Sequence, residues 1–379
     1  MVEKVKVYFP GLNALRFFAA FLVFASHVEL LKSRNGFQSY YYTKTFLELG
    51  GSAVTFFFVL SGFLITYLLF IEKDISGKIS LRQFYVRRIL RIWPLYYTVV
   101  LAGFFLIPYI PYLHNSISAG LYVDFYPKLL LFLLIMPNIS YVLFPHTPYI
   151  SPAWSIGVEE QFYLVWPWLL ARTKRPLRLF IMLIAGIYLV KAGLTVLGRI
   201  PHVKTQEISQ TILSIMYFAR FECMIMGSIF AYVLHRKKNE ILRLLFHKYV
   251  QIVCYTTIIA FLATGFKIPV LNHIIYSILF GIIILNISAN PDSIFKLENK
   301  ALNYLGQISF GLYMYHELAI GISITFLKDL SLNFDYAAPN VILYIFALLV
   351  TIGVASLSYY FLEKPFLKLK ARFSKISSK

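Results

Sequence analysis

Cysteine is nearly absent from this 379-residue chain, which has two, Cys223 and Cys254. Both lie in apolar runs, which argues against a structural disulfide, and no zinc-site spacing exists. Charge is scarce as well: 14% of residues are Asp, Glu, Lys or Arg, against about 25% in a typical soluble domain. Acidic residues are the scarcer sign, 17 against 36 basic ones. No soluble domain, low-complexity tract or clear internal repeat is visible, and the missing repeat argues against many transporter folds. Nor is a cleavable leader expected. The first apolar run contains Arg16 and His27, and no small-residue cleavage site follows it.

What the chain has in quantity is apolar sequence, 59% of its residues. A bilayer core needs roughly 20 apolar residues per helix. Ten stretches qualify, at about 12–31, 51–71, 92–110, 154–171, 177–198, 211–234, 249–266, 270–290, 303–326 and 341–362. An eleventh, about 127–143, is interrupted by Pro137 and Asn138 and followed by PHTPYISP. The fold expected is an all-α polytopic membrane protein of about ten transmembrane helices. Residues 1–366 form the membrane domain. Pro365 ends the last helix, and 367–379 is a basic tail on the membrane surface.

The net charge is +19. On a soluble chain that would point to nucleic acid. Here the basic residues gather in alternate loops, and the bilayer is the expected partner. With the N-terminus inside and 127–143 not crossing, 25 of the 36 Lys and Arg fall on the cytoplasmic side, eight fall outside, and Arg16, Lys191 and Arg220 lie within helices. That bias follows the positive-inside rule. A crossing by 127–143 would move every later loop to the other side and collapse it. The expectation is therefore cytoplasmic N- and C-termini, with 127–143 re-entrant or embedded and sheltered by other helices.

Ionisable residues inside membrane helices are costly and mark function by default. Arg16 and His27 are eleven residues apart, an offset of about 1100°, within about 20° of three full turns and ~16 Å along the axis. Both therefore face one way, Arg16 toward the cytoplasm and His27 toward the outside. His27 is suited to carrying a proton, whereas Arg16 keeps its charge and needs an anion or acceptors. Arg88 and Arg91 share a face at the cytoplasmic mouth of the third span. They suit a phosphate clamp, although spacing alone favours an ordinary positive-inside anchor.

In SPAWSIGVEEQFYLVWP, Ser151 is placed to cap a helix with Pro152 in its first turn. Glu159 and Glu160 are adjacent and so point apart, and either suits a base, an orienting group or a sugar-hydroxyl acceptor. Trp154, Phe162 and Tyr163 suit either a sugar-stacking surface or an aromatic belt. In GQISFGLYMYHELAI, Ser309, Tyr313 and His316 lie on successive turns of one face, His316 being either a satisfied structural histidine or a catalytic one. Arg220 and Glu222 are read as neutralised inside the bundle, by each other or by neighbours.

These residues together resemble the membrane acyltransferase-3 family, nearly end to end over about 10–366. The resemblance rests on Arg16 and His27, on SGFLIT at 61–66, on Arg88 and Arg91, on Trp154, Ser155, Glu159, Glu160, Gln161, Phe162, Tyr163 and Pro167, and on Ser309, Tyr313 and His316. Phe310 stands where the family usually has tyrosine. The resemblance implies an acyl-coenzyme A donor, commonly acetyl-CoA, and a hydroxyl acceptor on a glycan or glycolipid at the outer face of a bacterial plasma membrane, with no metal. Some members carry a fused esterase-like domain. This chain shows none, so transfer is expected to finish in the membrane domain or in a separate partner.

The mechanism expected has Arg16, Arg88 and Arg91 holding the donor. His27 acts as base or as a transiently acylated nucleophile, with Glu159 or Glu160 orienting it or the sugar. The alternative is a transporter of polysaccharide precursors without covalent chemistry. The acceptor, the acyl length and the oligomeric state are not legible.

Overall fold

Inside a bilayer a backbone must satisfy its own hydrogen bonds, and long apolar runs do so as helices. The computed structural model describes residues 5–110, 113, 123–200, 202–373 and 376–378. Lys4, Lys375 and Lys379, counted above among the cytoplasmic cations, lie outside them. The helices are α1 (Leu12–Arg34), α2 (Lys44–Ser76), α3 (Leu81–Phe105), α4 (Phe125–Leu133), α5 (Pro137–Leu143), α6 (Ala153–Arg172), α7 (Pro176–Leu197), α8 (Val203–Ala219), α9 (Phe221–His235), α10 (Asn239–Phe246), α11 (Lys248–Thr264), α12 (Asn272–Ala289), α13 (Lys300–Gln307), α14 (Ser309–Asp329), α15 (Ala337–Ser358) and α16 (Lys364–Lys370).

Among the described residues, eight helical stretches are long and apolar enough to cross a membrane. A ninth results if α10 and α11, bent by 60° at their junction, form one span. All ten expected stretches are helical. The one outside that set is α6, a 20-residue helix with Glu159 and Glu160 near its middle. The 127–143 stretch is two helices of nine and seven residues, each too short to span. Between them Ile135 takes a left-handed φ of 58°. Asn138 and Gln161 exchange amide hydrogen bonds of 3.3 and 2.8 Å, which fasten α5 to α6.

The 211–234 stretch is also broken. Arg220 has a φ of 42° and separates α8 from α9. Its guanidinium reaches α2, where Nη1 donates to Gly51 O at 2.8 Å and to Thr55 Oγ1 at 3.1 Å. Just beyond the break, α9 lies against α2 at Gly62 and Gly227. A Cβ on either glycine would run into the backbone carbonyl of the opposite helix. Small residues that let backbones approach are a recurrent way of joining membrane helices. Thr66 Oγ1 donates to Ser228 Oγ at 2.7 Å and accepts Trp166 Nε1–H at 2.7 Å, which ties α6 to the same crossing.

Helix α1 starts from Gly11, whose φ of 72° places it in the left-handed region that glycine enters without a Cβ penalty. Glu298 holds this turn. It accepts the Gly11 amide at 2.9 Å, the Asn303 amide at 2.7 Å and the Tyr8 hydroxyl. Near the other terminus α15 runs through a π-helical turn, Tyr359–Glu363, into α16. Arg87 Nη1 donates to Phe373 O at 3.1 Å, and Arg87 Nη2 lies 2.8 Å from Glu72 Oε2. The boundary drawn after residue 366 thus falls inside α16, which packs on α3. The strands Val5–Val7 and Ile376–Ser378 pair in parallel.

Candidate active site

Polar residues of α1, α3, α6 and α14 converge on a cavity of about 430 Å³. Arg16, Arg88, Arg91 and Lys370 line it, together with Ser61, Glu159, Tyr163, Ser155, Ser309 and Tyr313. Arg88 lies over the Phe84 and Tyr163 rings, each centroid 5.5 Å from its guanidinium carbon, and its Nε is buried without a hydrogen-bond partner. Arg16 donates to Asn13 Oδ1 at 3.0 Å. Glu159 does not neutralise these cations by direct contact: its Oε2 accepts from Tyr163 OH at 2.6 Å and Ser61 Oγ at 3.0 Å.

Ser155 and Tyr313 line the cavity, with their hydroxyls 2.7 Å apart. One turn further along α14 stands His316, its ring 5.8 Å from that of Tyr313. There α14 meets α1 again, at His27. The two imidazoles pack edge to face with centroids 4.8 Å apart. The face of α1 that carries Arg16 and His27 therefore turns toward α14 at both levels, as their spacing predicted.

Both imidazoles have a defined tautomer. His27 Nδ1 is 2.9 Å from Val23 O, and His316 Nδ1 is 2.6 Å from Tyr313 O. A carbonyl only accepts, so each Nδ1 carries a proton, and in the neutral imidazole each Nε2 keeps a lone pair. His316 Nε2 is buried without a partner among the described residues. His27 Nε2 faces Glu317 Oε1 at 3.4 Å, with side-chain exposures of 23% and 3%. Ser151 Oγ donates to the same Glu317 oxygen at 2.6 Å.

The carboxylate beside His27 is thus Glu317, which sequence reasoning passed over although it is ionisable, sits in a membrane helix and adjoins His316. Glu159 is in the cavity, and Glu160 Oε2 accepts the Trp93 indole N–H at 2.9 Å while its Oε1 is buried and unpaired. Ser151 does not cap α6, whose N-cap is Pro152 without a side-chain cap bond. Its hydroxyl goes to Glu317 instead, a longer-range contact that local spacing does not reveal.

Trp154 packs among aromatic rings, with centroids 5.3 Å from Phe218, 6.1 Å from Phe58 and 6.2 Å from Tyr141. Arg220 and Glu222 do not pair with each other. Glu222 Oε1 is 2.6 Å from Lys191 Nζ, while Arg220 is held by α2 and lies 5.7 Å from the Trp154 ring. Among the described residues no group of three or more His, Cys, Asp or Glu is arranged to hold a metal ion.

A multi-pass helical membrane protein with paired imidazoles close to a cationic cavity is the class that fold and site define. The chain belongs to the acyltransferase-3 family, whose acyltransferase-domain model matches residues 9–360. It is 25% identical over 385 residues to the peptidoglycan O-acetyltransferase OatA of Listeria monocytogenes, covering 95% of this chain and 56% of that protein. It is 30% identical over 394 residues to the O-acetyltransferase OatA of Staphylococcus aureus strain NCTC 8325, covering 95% and 57%. To the putative peptidoglycan O-acetyltransferase YrhL of Bacillus subtilis it is 25% identical over 388 residues, covering 94% and 55%. The chain spans little more than half the length of these relatives. No solved structure matches it.

Proposed function

We propose that the chain is a plasma-membrane O-acetyltransferase that moves an acetyl group from cytoplasmic acetyl-coenzyme A to a hydroxyl of a cell-envelope glycan. The names of the relatives support peptidoglycan as the acceptor class. The observation that carries the reading is the imidazole of His27. Its Nε2 faces Glu317 and its ring packs against His316, one turn along α14 from Tyr313 in the lining of a cavity that carries four cations.

Arg16, Arg88 and Arg91 fit a phosphate-bearing donor, because half-buried guanidinium groups without a salt bridge among the described residues favour an anion. His27 Nε2 then takes the proton of the acceptor hydroxyl. The alkoxide attacks the thioester carbon, the C–O bond forms, the C–S bond breaks and the thiolate leaves. The proton held on Nε2 points at Glu317, so the carboxylate stabilises a charge that exists only as the reaction proceeds. If His27 is instead acylated first, His316 Nε2 is the neighbouring base for the second step. Glu159 and Glu160 hold the cavity wall through Ser61, Tyr163 and Trp93. Trp154 extends the aromatic surface on the side of Tyr141 and Phe218.

The positive-inside bias supports the orientation, with the cationic cavity toward the cytoplasm and His27 toward the outside. Mass spectrometry of envelope glycan from a deletion strain tests the reading. Loss of the acetyl mass increment from otherwise normal glycan is expected. Loss of the glycan itself would point to transport of a precursor.

A further inference from the structure

Three of the four cations in the cavity belong to helices within the family match, Arg16 on α1 and Arg88 and Arg91 on α3. The fourth, Lys370, ends α16 and lies beyond residue 360, where that match stops. Among the described residues neither Arg91 nor Lys370 makes a salt bridge. The carboxylate lining the cavity, Glu159, has its Oε2 engaged by two hydroxyls. Lys370 stands within electrostatic reach of Arg91, Arg88, Arg87 and Arg16, every one a like charge. Arg87 is neutralised by Glu72 at 2.8 Å, and the other three are not so paired.

A lysine is not held beside guanidinium groups by its own electrostatics, since like charges repel, and Glu159, Glu160 and Glu363 act on these arginines from a distance without a salt bridge among the described residues. The covalent path and packing of the tail put it there. The π-helical turn Tyr359–Glu363 redirects the chain from α15 into α16. Helix α16 then packs on α3, and Phe373 O accepts from Arg87. What makes such a cluster favourable is an anion with several charges, and a diphosphate with a further phosphate is of that kind.

We propose that Lys370 is a ligand of the donor's phosphates, and that the C-terminal segment 359–373 forms one wall of the donor site. This rests on the reading of the cavity as the donor site. It makes the segment after the matched domain part of the donor-binding machinery rather than a surface tail. An anionic phospholipid headgroup offers the same phosphate chemistry at a membrane surface, and the test separates the two sources.

The full-length protein in lipid nanodiscs is titrated with coenzyme A by calorimetry, with thermal melting as the folding control. Lys370→Ala is expected to weaken coenzyme A binding roughly tenfold, the scale of a charge-assisted contact to phosphate. Lys370→Arg should stay within about twofold, and Lys370→Glu should lose more than Lys370→Ala, because each keeps or inverts the charge at one site. The weakening should shrink when dephospho-coenzyme A replaces coenzyme A if the ligand is the ribose phosphate, and persist if it is the diphosphate. Arg88→Ala serves as the reference. If Arg88→Ala weakens binding while Lys370→Ala leaves it unchanged, the role of Lys370 is overturned and the donor site stands. If neither changes binding, the donor site itself fails and this inference with it. Loss of co-purifying anionic phospholipid from Lys370→Ala, with coenzyme A affinity unchanged, would also overturn it in favour of a lipid.

Discussion

Glu317 Oε1 lies 3.4 Å from Nε2 of His27 and receives the Ser151 hydroxyl at 2.6 Å. The geometry gives the carboxylate little to bond on its histidine side while the imidazole is neutral, because His27 gives its one N–H to Val23 O. Once Nε2 gains a proton, Glu317 becomes its partner. His27→Ala should therefore abolish acetyl transfer, by a factor on the order of 10² to 10⁴ for loss of an acid–base group. Glu317→Gln should lower kcat by roughly 10² with little change in donor KM, because the interaction develops in the transition state. Acetyl release from envelope glycan, measured with variants of unchanged melting temperature, checks both. A His27→Ala protein that folds and acetylates fully would remove the proposed mechanism.

The two imidazoles distinguish direct transfer from an acyl-histidine. His316 Nε2 is buried and unpaired beside His27. If transfer is direct, His316→Ala should leave an appreciable rate. If His27 is acylated first, His316→Ala should trap label from a radiolabelled donor on the protein, and its hydroxylamine-labile counts should persist when acceptor is supplied, whereas the wild type loses them. His316→Phe keeps the ring volume and separates this from a packing defect.

The glycines of the α2–α9 crossing make a stability prediction. Gly227→Ala places a methyl against the Val59 carbonyl, and Gly62→Ala places one against Met224. Backbone cannot yield as a flexible side chain does, so overpacking of about 1–3 kcal/mol or more is expected. Yield in detergent and melting temperature should fall for both. Gly186→Ala, on α7 with nothing close to its Cβ position, should leave both unchanged.

At the start of α1 the stability should depend on pH. The Tyr8 hydroxyl, the Asn303 amide and the Gly11 amide all donate to Glu298 and hold its carboxyl below the usual range, Tyr8 having the largest effect. A carboxyl with a lowered folded-state pKa contributes stability that is present above its unfolded pKa, ordinarily about 4.3, and is lost as pH falls through the folded value. The wild-type melting temperature should drop more than that of Glu298→Gln between about pH 5 and pH 3. Parallel curves for the two proteins would show that this turn does not contribute.

Much of the site was legible because intramembrane charge is rare and helix geometry is regular. Eleven residues return a helix nearly to its starting angle, so Arg16 and His27 announced one face from the sequence alone. What stayed hidden depends on which helix packs against which. Glu317 adjoins His316, yet its meeting with His27 requires the approach of α14 to α1. Ser151 reads locally as a cap, and only the fold directs it to Glu317. Lys370 looks like one more surface lysine until the turn after α15 carries it into the cavity. The break at Arg220 is similar: the hydropathy of 211–234 is continuous, while the left-handed residue reflects bonds to Gly51 and Thr55 on another helix.

The same reliance on distant partners applies to Glu222, which of the two expected routes to neutralisation takes the neighbour, Lys191, rather than Arg220. Lys191 Nζ is 2.6 Å from Glu222 Oε1, with side-chain exposures of 16% and 1%, and Glu222 Oε2 has no partner among the described residues. Removing one member of a buried pair strands the other charge, which typically costs about 3–5 kcal/mol, whereas replacing both with apolar or neutral groups is often close to neutral. Lys191→Met should therefore lower the melting temperature strongly, since Glu222 is left in the bundle without a cation. The double variant Lys191→Met with Glu222→Gln should recover most of the loss. Neither residue lines the cavity or touches His27, so acetyl transfer per folded molecule should be unchanged in the double variant. If the single and double variants melt together at the wild-type temperature, the ion pair does not contribute to stability. If the double variant melts as low as the single, packing around the lysine stem outweighs its charge.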